Sequence, residues 1–529
     1  MKKIHYTLIF VAYSLITFFS FFNSLKGFAI ENFYEYRAGS EYCDLTVEIK
    51  DLKWHPFDNN LTIEIPDSIL NKKVQRFSLK GRVEAVSKIV IGRYVREISV
   101  AELKTLNNLE YIGVTMFNQY LSSENGALYN SDKTKLLYWP TASKVLDLSK
   151  NDNLKIIGES AFSENTNLTT IFLPKTITDI EDDAFRNCEN IKVVDFSKCH
   201  YLKNIDNNAF GNCKSITKVD LSKCHNLKNI GINSFNNCEN LEEIIFSDVC
   251  KLEQIGGSAF KNCINLKSIK IPKYVKKIGY SAFYDCRSLK TVEFEEGGLI
   301  EEIGELAFCN CSFKKISLPN SVIKIHNFCF SYNDDLESII LSDCLTEIGI
   351  GSFSNCTSLK EIEIPSLVHT LKMWTFQNCI NLIDVKLPVG LKTIEGYAFD
   401  NCLSLKTIEL PDNIINIEGS TFKDCKSLEK IILPAKLLSI SSKAFEGCSS
   451  LKEVEMPELL EKIDDYAFYE CENLSTITIN KKIKDISKYA FLGCDSLSKV
   501  IYLGNKFQWA LINIEDDNIL NNCEIIITK

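Results

Sequence analysis

One phrase of sequence returns again and again along this chain, and no closed globular core can be built on it. Ser404–Cys425, SLKTIELPDNIINIEGSTFKDC, comes back 23 residues later as SLEKIILPAKLLSISSKAFEGC at Ser427–Cys448. Its anchor is a phenylalanine that occurs fifteen times from Phe162 to Phe491, at steps of 23 or 25 residues with one step of 22. Five residues earlier stands an isoleucine, replaced once by Leu371. A fixed period of this length means stacked supersecondary units, each burying its apolar face only against its neighbours. A chain of 529 residues would otherwise suggest three or four globular domains; the repeat cancels that arithmetic.

Within one copy, Leu405–Leu410 alternates so that Ile408 and Leu410 share one face while Thr407 and Glu409 share the other. Pro411 stops the strand because it has no N–H to give to a continuing ladder. The chain then returns through Ile414 and Ile417 to Phe422 and turns at Asp424-Cys425. A single copy buries too few side chains to offset the entropy of ordering its backbone, so only stacking makes it stable. The expected fold is a leucine-rich repeat solenoid, a curved parallel β-sheet of about fifteen 23–25-residue coils with an N-terminal β-rich capping region. Two dialects occur, one with Pro after the strand and one, as at Ser215–Cys238, with Ser-Lys-Cys-His in its place and two extra residues.

The flanks read differently. Residues 1–29 have the three parts of an export signal: Lys2 and Lys3, the apolar run Tyr6–Phe22, and small residues Gly27 and Ala29. Either a cleaved signal peptide or an uncleaved N-terminal anchor fits, and both export the remainder. Residues 30–105 suggest short strands at Leu45–Ile49, Leu61–Ile65, Val74–Leu79 and Ser87–Ile91, an N-terminal cap. Residues 106–150 hold a degenerate copy ending at Phe117 and a hairpin insertion, Glu124–Pro140, whose Tyr138 and Trp139 need partners. The array follows over 151–503. Residues 504–529 lose the period and form a C-terminal cap, with Phe507, Trp509, Leu511 and Ile514 expected over the last coil.

Of 21 cysteines, thirteen lie three residues after the column Phe, and the two copies without one carry Asn165 and Asn333 there. A slot that accepts Cys or Asn is a buried turn position bonding to the loop backbone, and a disulfide or metal ladder would not accept Asn. The column reads as reduced, buried thiols. Cys199-His200, Cys224-His225 and Cys250 fall in successive coils and have zinc-ligand chemistry. Adjacent side chains on an extended segment point apart, so a second column of turn cysteines is the competing reading.

No catalytic set emerges. Gly-x-Ser-Ala-Phe at Gly158, Gly256 and Gly279 lacks the second glycine of a nucleophile elbow and is itself a repeat slot. The six histidines form no His-Glu-x-x-His, and no phosphate-binding glycine loop occurs. A net charge of −9 with mixed signs in nearly every copy argues against a nucleic-acid groove. No cofactor is expected. What varies is the outward strand position before the last apolar residue: Phe172, Asp195, Asp220, Ile245, Lys270, Glu293, Ile340, Glu363, Lys386, Glu409, Ile432 and Glu455. Variation beside fixed Ile and Phe is what a binding surface on a rigid scaffold looks like, and also what an unconstrained surface looks like.

The phrase Leu-x-x-Ile-x-Ile-Pro-x-x-Val-x-x-Ile-Gly-x-x-Ala-Phe-x-x-Cys, nearly complete at Asn265–Cys286, resembles the BspA-like leucine-rich repeat family. The insertion ENGALYNSDKTKLLYWP and the tail YLGNKFQWALINIEDDNIL are similar to accessory segments of its bacterial members. The likeness covers about 420 residues and leaves the first 105 outside. It implies secreted or cell-surface proteins of host-associated bacteria and some parasitic protists, several of them adhesins toward matrix proteins, host cells or other microbes. No surface-sorting motif accompanies it in this chain. The expected function is a non-enzymatic, exported binding scaffold with extracellular proteins or cell-surface components as partners and no nucleic acid; the alternative is a structural or self-assembling envelope protein.

Overall fold

The computed structural model describes residues 33–38, 42–48, 61–65, 67–69, 72–80, 86–106, 108–140, 144–515, 520 and 523–528. The export-signal segment lies outside them. The chain divides into two compact units, 1–216 and 217–529. It is a parallel β-solenoid of about 19 turns with little helix, slightly more turns than the Phe column counts.

Each coil contributes one strand to each of two parallel ladders. In the unit 217–529 the coil of Thr407–Glu409 shows the plan. Ile408 and Leu410 are buried and Thr407 and Glu409 are exposed, as the alternation requires. The Ile414 N–H closes the turn on the Pro411 carbonyl, and Asn416–Ile417 forms the second strand. The third side is irregular but fully bonded from coil to coil: Phe422 N–H donates to Ala444 O at 2.8 Å and Asp424 N–H to Glu446 O at 2.7 Å. Alternate peptides along this side all point the same way, which is possible because the residues two before and two after each column Phe adopt positive φ, as Ser420 and Asp424 do.

The column Phe rings stack between coils with centroids 5.4 Å apart at Phe376–Phe399, Phe399–Phe422 and Phe422–Phe445. Near-parallel rings at this distance are offset-stacked, as aromatic pairs prefer, at a spacing slightly above the strand separation of about 4.7–4.9 Å. The cysteine column behaves as the Cys-or-Asn slot implies. The Cys425 thiol donates to Phe399 O of the preceding coil at 3.2 Å, and Asn333 Nδ2 makes the same bond to Phe308 O at 2.9 Å. Cys263, Cys286, Cys356, Cys379, Cys402 and Cys448 of this column are thiols outside any disulfide. Burial pushes the Cys379 thiol up to about 12, so it is not a ready nucleophile.

In the unit 1–216, Ile156–Ile157, Asp179–Ile180 and Asn204–Ile205 make one ladder and Val145–Asp147, Thr170–Phe172 and Val193–Asp195 the other. The first of these continues into an antiparallel meander, Leu121–Glu124, Ala127–Asn130 and Lys135–Tyr138. Trp139 is buried and stacks on Phe162 at 6.2 Å, heading the aromatic column, and Tyr138 is buried with its hydroxyl 3.4 Å from Leu103 O. Both therefore find partners inside the fold. Phe117, taken from sequence as the anchor of a degenerate copy, is 73% exposed with φ of 68°. Its place above Phe162 belongs to Trp139.

Ladders extend past the Phe column at both ends of the sequence. Leu61–Glu64, Val86–Ile91 and Tyr111–Val114 are parallel neighbours, packed over Val74, Ile89, Leu103 and Ile112, while Tyr42–Glu48 pairs with Lys72–Lys80. At the other end Asn513–Ile514 pairs with Asp485–Ile486 and Glu524–Ile527 with Lys499–Tyr502. Buried Leu520 stands three residues before Cys523, where other coils have Phe. The tail thus adds one more coil instead of only covering the last. Phe507 and Leu511, expected over that coil, are 85% and 83% exposed. The helix Lys506–Trp509, held by a capping box of Asn505 and Gln508, is one turn long, and Trp509 takes the inward side against Tyr502 at 5.1 Å.

Candidate binding surface

The first ladder sets neighbouring outward residues side by side in short runs, because parallel pairing at equal steps aligns identical slots; it is broken after Thr291–Phe294, after Asp384–Lys386 and after Lys430–Ile432. Phe172 lies opposite Asp195. In 217–529, Asp220 faces Ile245, Lys270 faces Glu293, Glu363 faces Lys386 and Glu409 faces Ile432. Ile340 lies beside Ser317 and Glu455 beside Thr478. Phe172, Asp195 and Ile245 are half-buried and the other nine are exposed.

These side chains are not equally available. The carboxylates of Asp195 and Asp220 accept the N–H groups of Ser197 and Ser222 at 2.9 and 3.0 Å, building the turn that Pro builds in the shorter coils. Lys270 is paired with Asp248 at 3.0 Å, and Glu363 with Lys386 at 3.4 Å. Ile340 and Ile432 are different: apolar, outward and 67% and 58% exposed. The row mixes charges with isolated apolar points, which suits a macromolecular face rather than the enclosure of a small substrate.

Two features were not foreseen from sequence. First, the second ladder is interrupted between Thr393–Ile394 and Asn416–Ile417, which are not paired, while Phe399 and Phe422 stay stacked. A cleft of 460 Å³ opens there, lined by Lys392, Thr393, Asn413, Ile415, Asn416 and Glu418. Glu395 and Glu418 occupy successive copies of a slot that is Gly349 two coils earlier. The slot is tight where it is glycine: a Cβ on Gly256 would sit 2.5 Å from the Gly231 backbone. Glu395 is instead drawn toward the preceding coil, accepting Met373 N–H at 2.8 Å.

Second, the position two before the column Phe changes character along the chain. In 1–216 it holds Ser160, Asp183 and Asn208; in 217–529 it becomes Phe328, Trp374, Tyr397, Tyr466 and Tyr489 among smaller residues. Reading that single slot down the repeat would have revealed the run of rings. Among the described residues no group of three or more His, Cys, Asp or Glu is placed to hold a metal. Cys199, Cys224 and Cys250 are buried, and His225 Nδ1 lies 2.8 Å from Ser247 Oγ. No helix among the described residues is long and apolar enough to cross a membrane.

The family described as "BspA type Leucine rich repeat region (6 copies)" matches residues 138–252, 253–383 and 372–498. A leucine-rich repeat protein from Bacteroides ovatus is 26% identical over 78% of this chain and 98% of its own, with a TM-score of 0.55. A leucine-rich cell surface protein from Faecalibacterium prausnitzii is 23% identical over 75% of this chain and 98% of its own, TM-score 0.36. The pneumococcal vaccine antigen PcpA is 17% identical over 95% and 98%, TM-score 0.34. No curated protein matches the chain.

Proposed function

Because this chain belongs to the BspA-type leucine-rich repeat family, we propose that it is a non-enzymatic binding scaffold, exported and displayed or released as an adhesin toward host matrix, host cells or other microbes. The observation that carries the reading is the outward row of the first ladder, where the backbone repeats and the side chains do not. Exposed Ile340 and Ile432 beside Glu363, Lys386 and Glu409 are the points at which a protein partner would be held. Residues 1–29 serve as export signal in this reading, 30–105 and 504–529 as caps, 106–150 as the entry repeat with its hairpin, and 151–503 as the scaffold.

The test is binding of the full secreted chain to purified matrix proteins and to intact host and bacterial cells, with Ile340→Asp, Ile432→Asp and Glu409→Lys alongside. Saturable binding below micromolar concentration that falls about tenfold or more in row variants supports the reading, since central apolar anchors dominate interface energetics. Absence of saturable binding to any of these surfaces counts against it. Binding that no row variant alters moves the site off this ladder.

A further inference from the structure

We propose that the turn Thr115–Asn118 in the unit 1–216 is a membrane-docking tip, which inserts Met116 and Phe117 into an anionic phospholipid bilayer. Met116 is 78% exposed and Phe117 73%, side by side in the one turn. The φ of 68° at Phe117 is not imposed by the coil plan. From Ser160 onward every left-handed residue other than glycine lies two residues from a column Phe, and Phe117 has no such neighbour. Asn118 N–H closes the turn on Thr115 O at 3.4 Å, so Phe117 stands where glycine or asparagine is usual.

A ring at that place is a rare outlier, and it persists because Asn118 holds the turn from both sides. Its Nδ2 donates to Gly92 O at 2.9 Å and to Val95 O at 3.0 Å. Its Oδ1 accepts from Tyr120 N–H at 2.8 Å and Leu121 N–H at 2.9 Å. The fold uses the asparagine and leaves its two apolar neighbours in water. The same bonds set a cationic turn beside the tip. Arg93 and Arg96 are exposed there, their guanidinium groups 5.4 Å from the Phe117 ring and 5.0 Å from the Tyr120 ring. Lys73 Nζ lies 4.9 Å from the ring of Tyr94 in that turn. Glu97 is held by Arg76 at 2.6 Å, and Asp67 accepts the Arg93 N–H. Across these turns and the side chains bonded to them, Lys73, Arg76, Arg93 and Arg96 thus outnumber Asp67 and Glu97. From Lys72 to Lys104 the chain carries nine Lys or Arg and three Glu, in a protein of net charge −9.

A bilayer uses every part of this arrangement. Arginine stems snorkel to lipid phosphates, tyrosine sits at the headgroup level, and apolar side chains enter the acyl boundary. Phe117 stays mostly exposed under the Arg93 guanidinium, so its other face and its edge are open to acyl chains. A sulfated polysaccharide would engage the arginines and leave Met116 and Phe117 in water. Two apolar residues in one turn fall far short of a standard protein interface of about 1,600 Å². The cap also starts close to the apolar export segment, since only residues 30–32 separate 1–29 from the strand Phe33–Ala38. That proximity alone depends on the export reading.

Phe117→Trp makes the tip its own reporter in the full chain. On vesicles of equimolar phosphatidylglycerol and phosphatidylcholine, the added emission should shift to the blue and be quenched by brominated acyl chains. Binding should be at least about tenfold tighter than to phosphatidylcholine alone, with the difference shrinking as salt is raised. Met116→Ser/Phe117→Gly should lose about tenfold or more, while the thermal midpoint holds or rises because glycine suits the φ of 68°. Arg93→Gln/Arg96→Gln should lose the preference for the anionic vesicle. Binding to matrix or cells through Ile340 and Ile432 should be unchanged in both double variants. The proposal is overturned if the added emission neither shifts nor is quenched, even where another part of the chain holds the vesicle. It is equally overturned by vesicle binding indifferent to both double variants, or by tip-dependent retention on heparin without vesicle binding. A fall in the midpoint of Met116→Ser/Phe117→Gly assigns these side chains to the fold and overturns it as well.

Discussion

Every coil with a column Phe enters left-handed backbone twice, two residues before that Phe and two residues after, and the two positions differ in which residues fill them most often. After the Phe stand Asn187 and Asn212 in 1–216, and Asn355, Asn378, Asn401, Asp424 and Gly447 in 217–529, the residue types that tolerate this conformation. Their amides also bridge coils: Asn378 Nδ2 reaches Asn355 Oδ1 at 3.0 Å, and Asn401 Nδ2 reaches Asn378 Oδ1 at 2.8 Å. Before the Phe, with φ nearly the same, stand Trp374, Tyr397, Lys443 and Tyr466. The slot after the Phe follows the backbone more closely, with Glu164, Tyr332 and Glu470 as its exceptions; the slot before it mixes rings with Asp183, Asn208 and Gly351.

The largest expected effect comes from removing what lies midway between the two slots. Phe399→Ala deletes a ring stacked at 5.4 Å on both Phe376 and Phe422 in a column with no solvent access. A loss of about 3–5 kcal/mol is expected from urea unfolding, because coil spacing fixed by hydrogen bonds cannot collapse onto the cavity. The neighbouring cleft at Asn413–Glu418 makes this the junction where unfolding should first lose its single transition. A single unshifted transition would show that the stack contributes less than the ladders do.

Next in size is Asn378→Ala, expected to cost about 1–2 kcal/mol: it removes a two-way amide bridge and puts an unsuited Cβ residue in left-handed backbone. Asn378→Gly keeps the φ of 59° at no steric cost and should recover roughly half of that. The mirror change at the other slot, Trp374→Asn, should go the opposite way. If both slots lose equal stability on these substitutions, the contrast between them is wrong.

The contrast was only half legible in the sequence. Asn, Asp or Gly one residue before Cys is a visible signature of left-handed backbone, and the Phe, Ile and Cys columns are visible by period alone. A ring in left-handed backbone leaves no such mark, because Trp374 and Tyr397 read as ordinary exposed aromatics until φ is known. Spacing also misled where the column changes residue. Phe117 has the right type and the wrong place, since the insertion ahead of Phe162 delivers Trp139 there instead. Leu520 has the right place and the wrong type, after a step of 29 residues from Phe491. The cleft was hidden for a different reason: nothing at Glu395 or Glu418 marks it, since Glu181 and Asp206 fill the same slot where Asp179–Ile180 and Asn204–Ile205 stay paired.

A third slot, directly after the ladder Ile, sharpens the same lesson with the smallest signal. It is glycine at Gly256, Gly279 and Gly304 and acidic at Glu181 and Asp206. Burial, then the nearby Asp182, Asp179 and Glu181, raise the Asp206 carboxyl from 3.8 to about 6. A carboxyl raised on folding holds its proton more tightly in the folded state. Its stabilising contribution is therefore complete below about pH 4 and is lost as pH rises through about 6. Stability of the region should rise on acidification from pH 7 to 5, and Asp206→Asn should flatten that slope while stabilising the protein at pH 7 by under about 1 kcal/mol, since the group is partly solvated. Thermal midpoints of both proteins at matched ionic strength give the answer. A parallel pH dependence in the variant would place the titration on another carboxylate of the stack, and the slot would then be acidic without consequence.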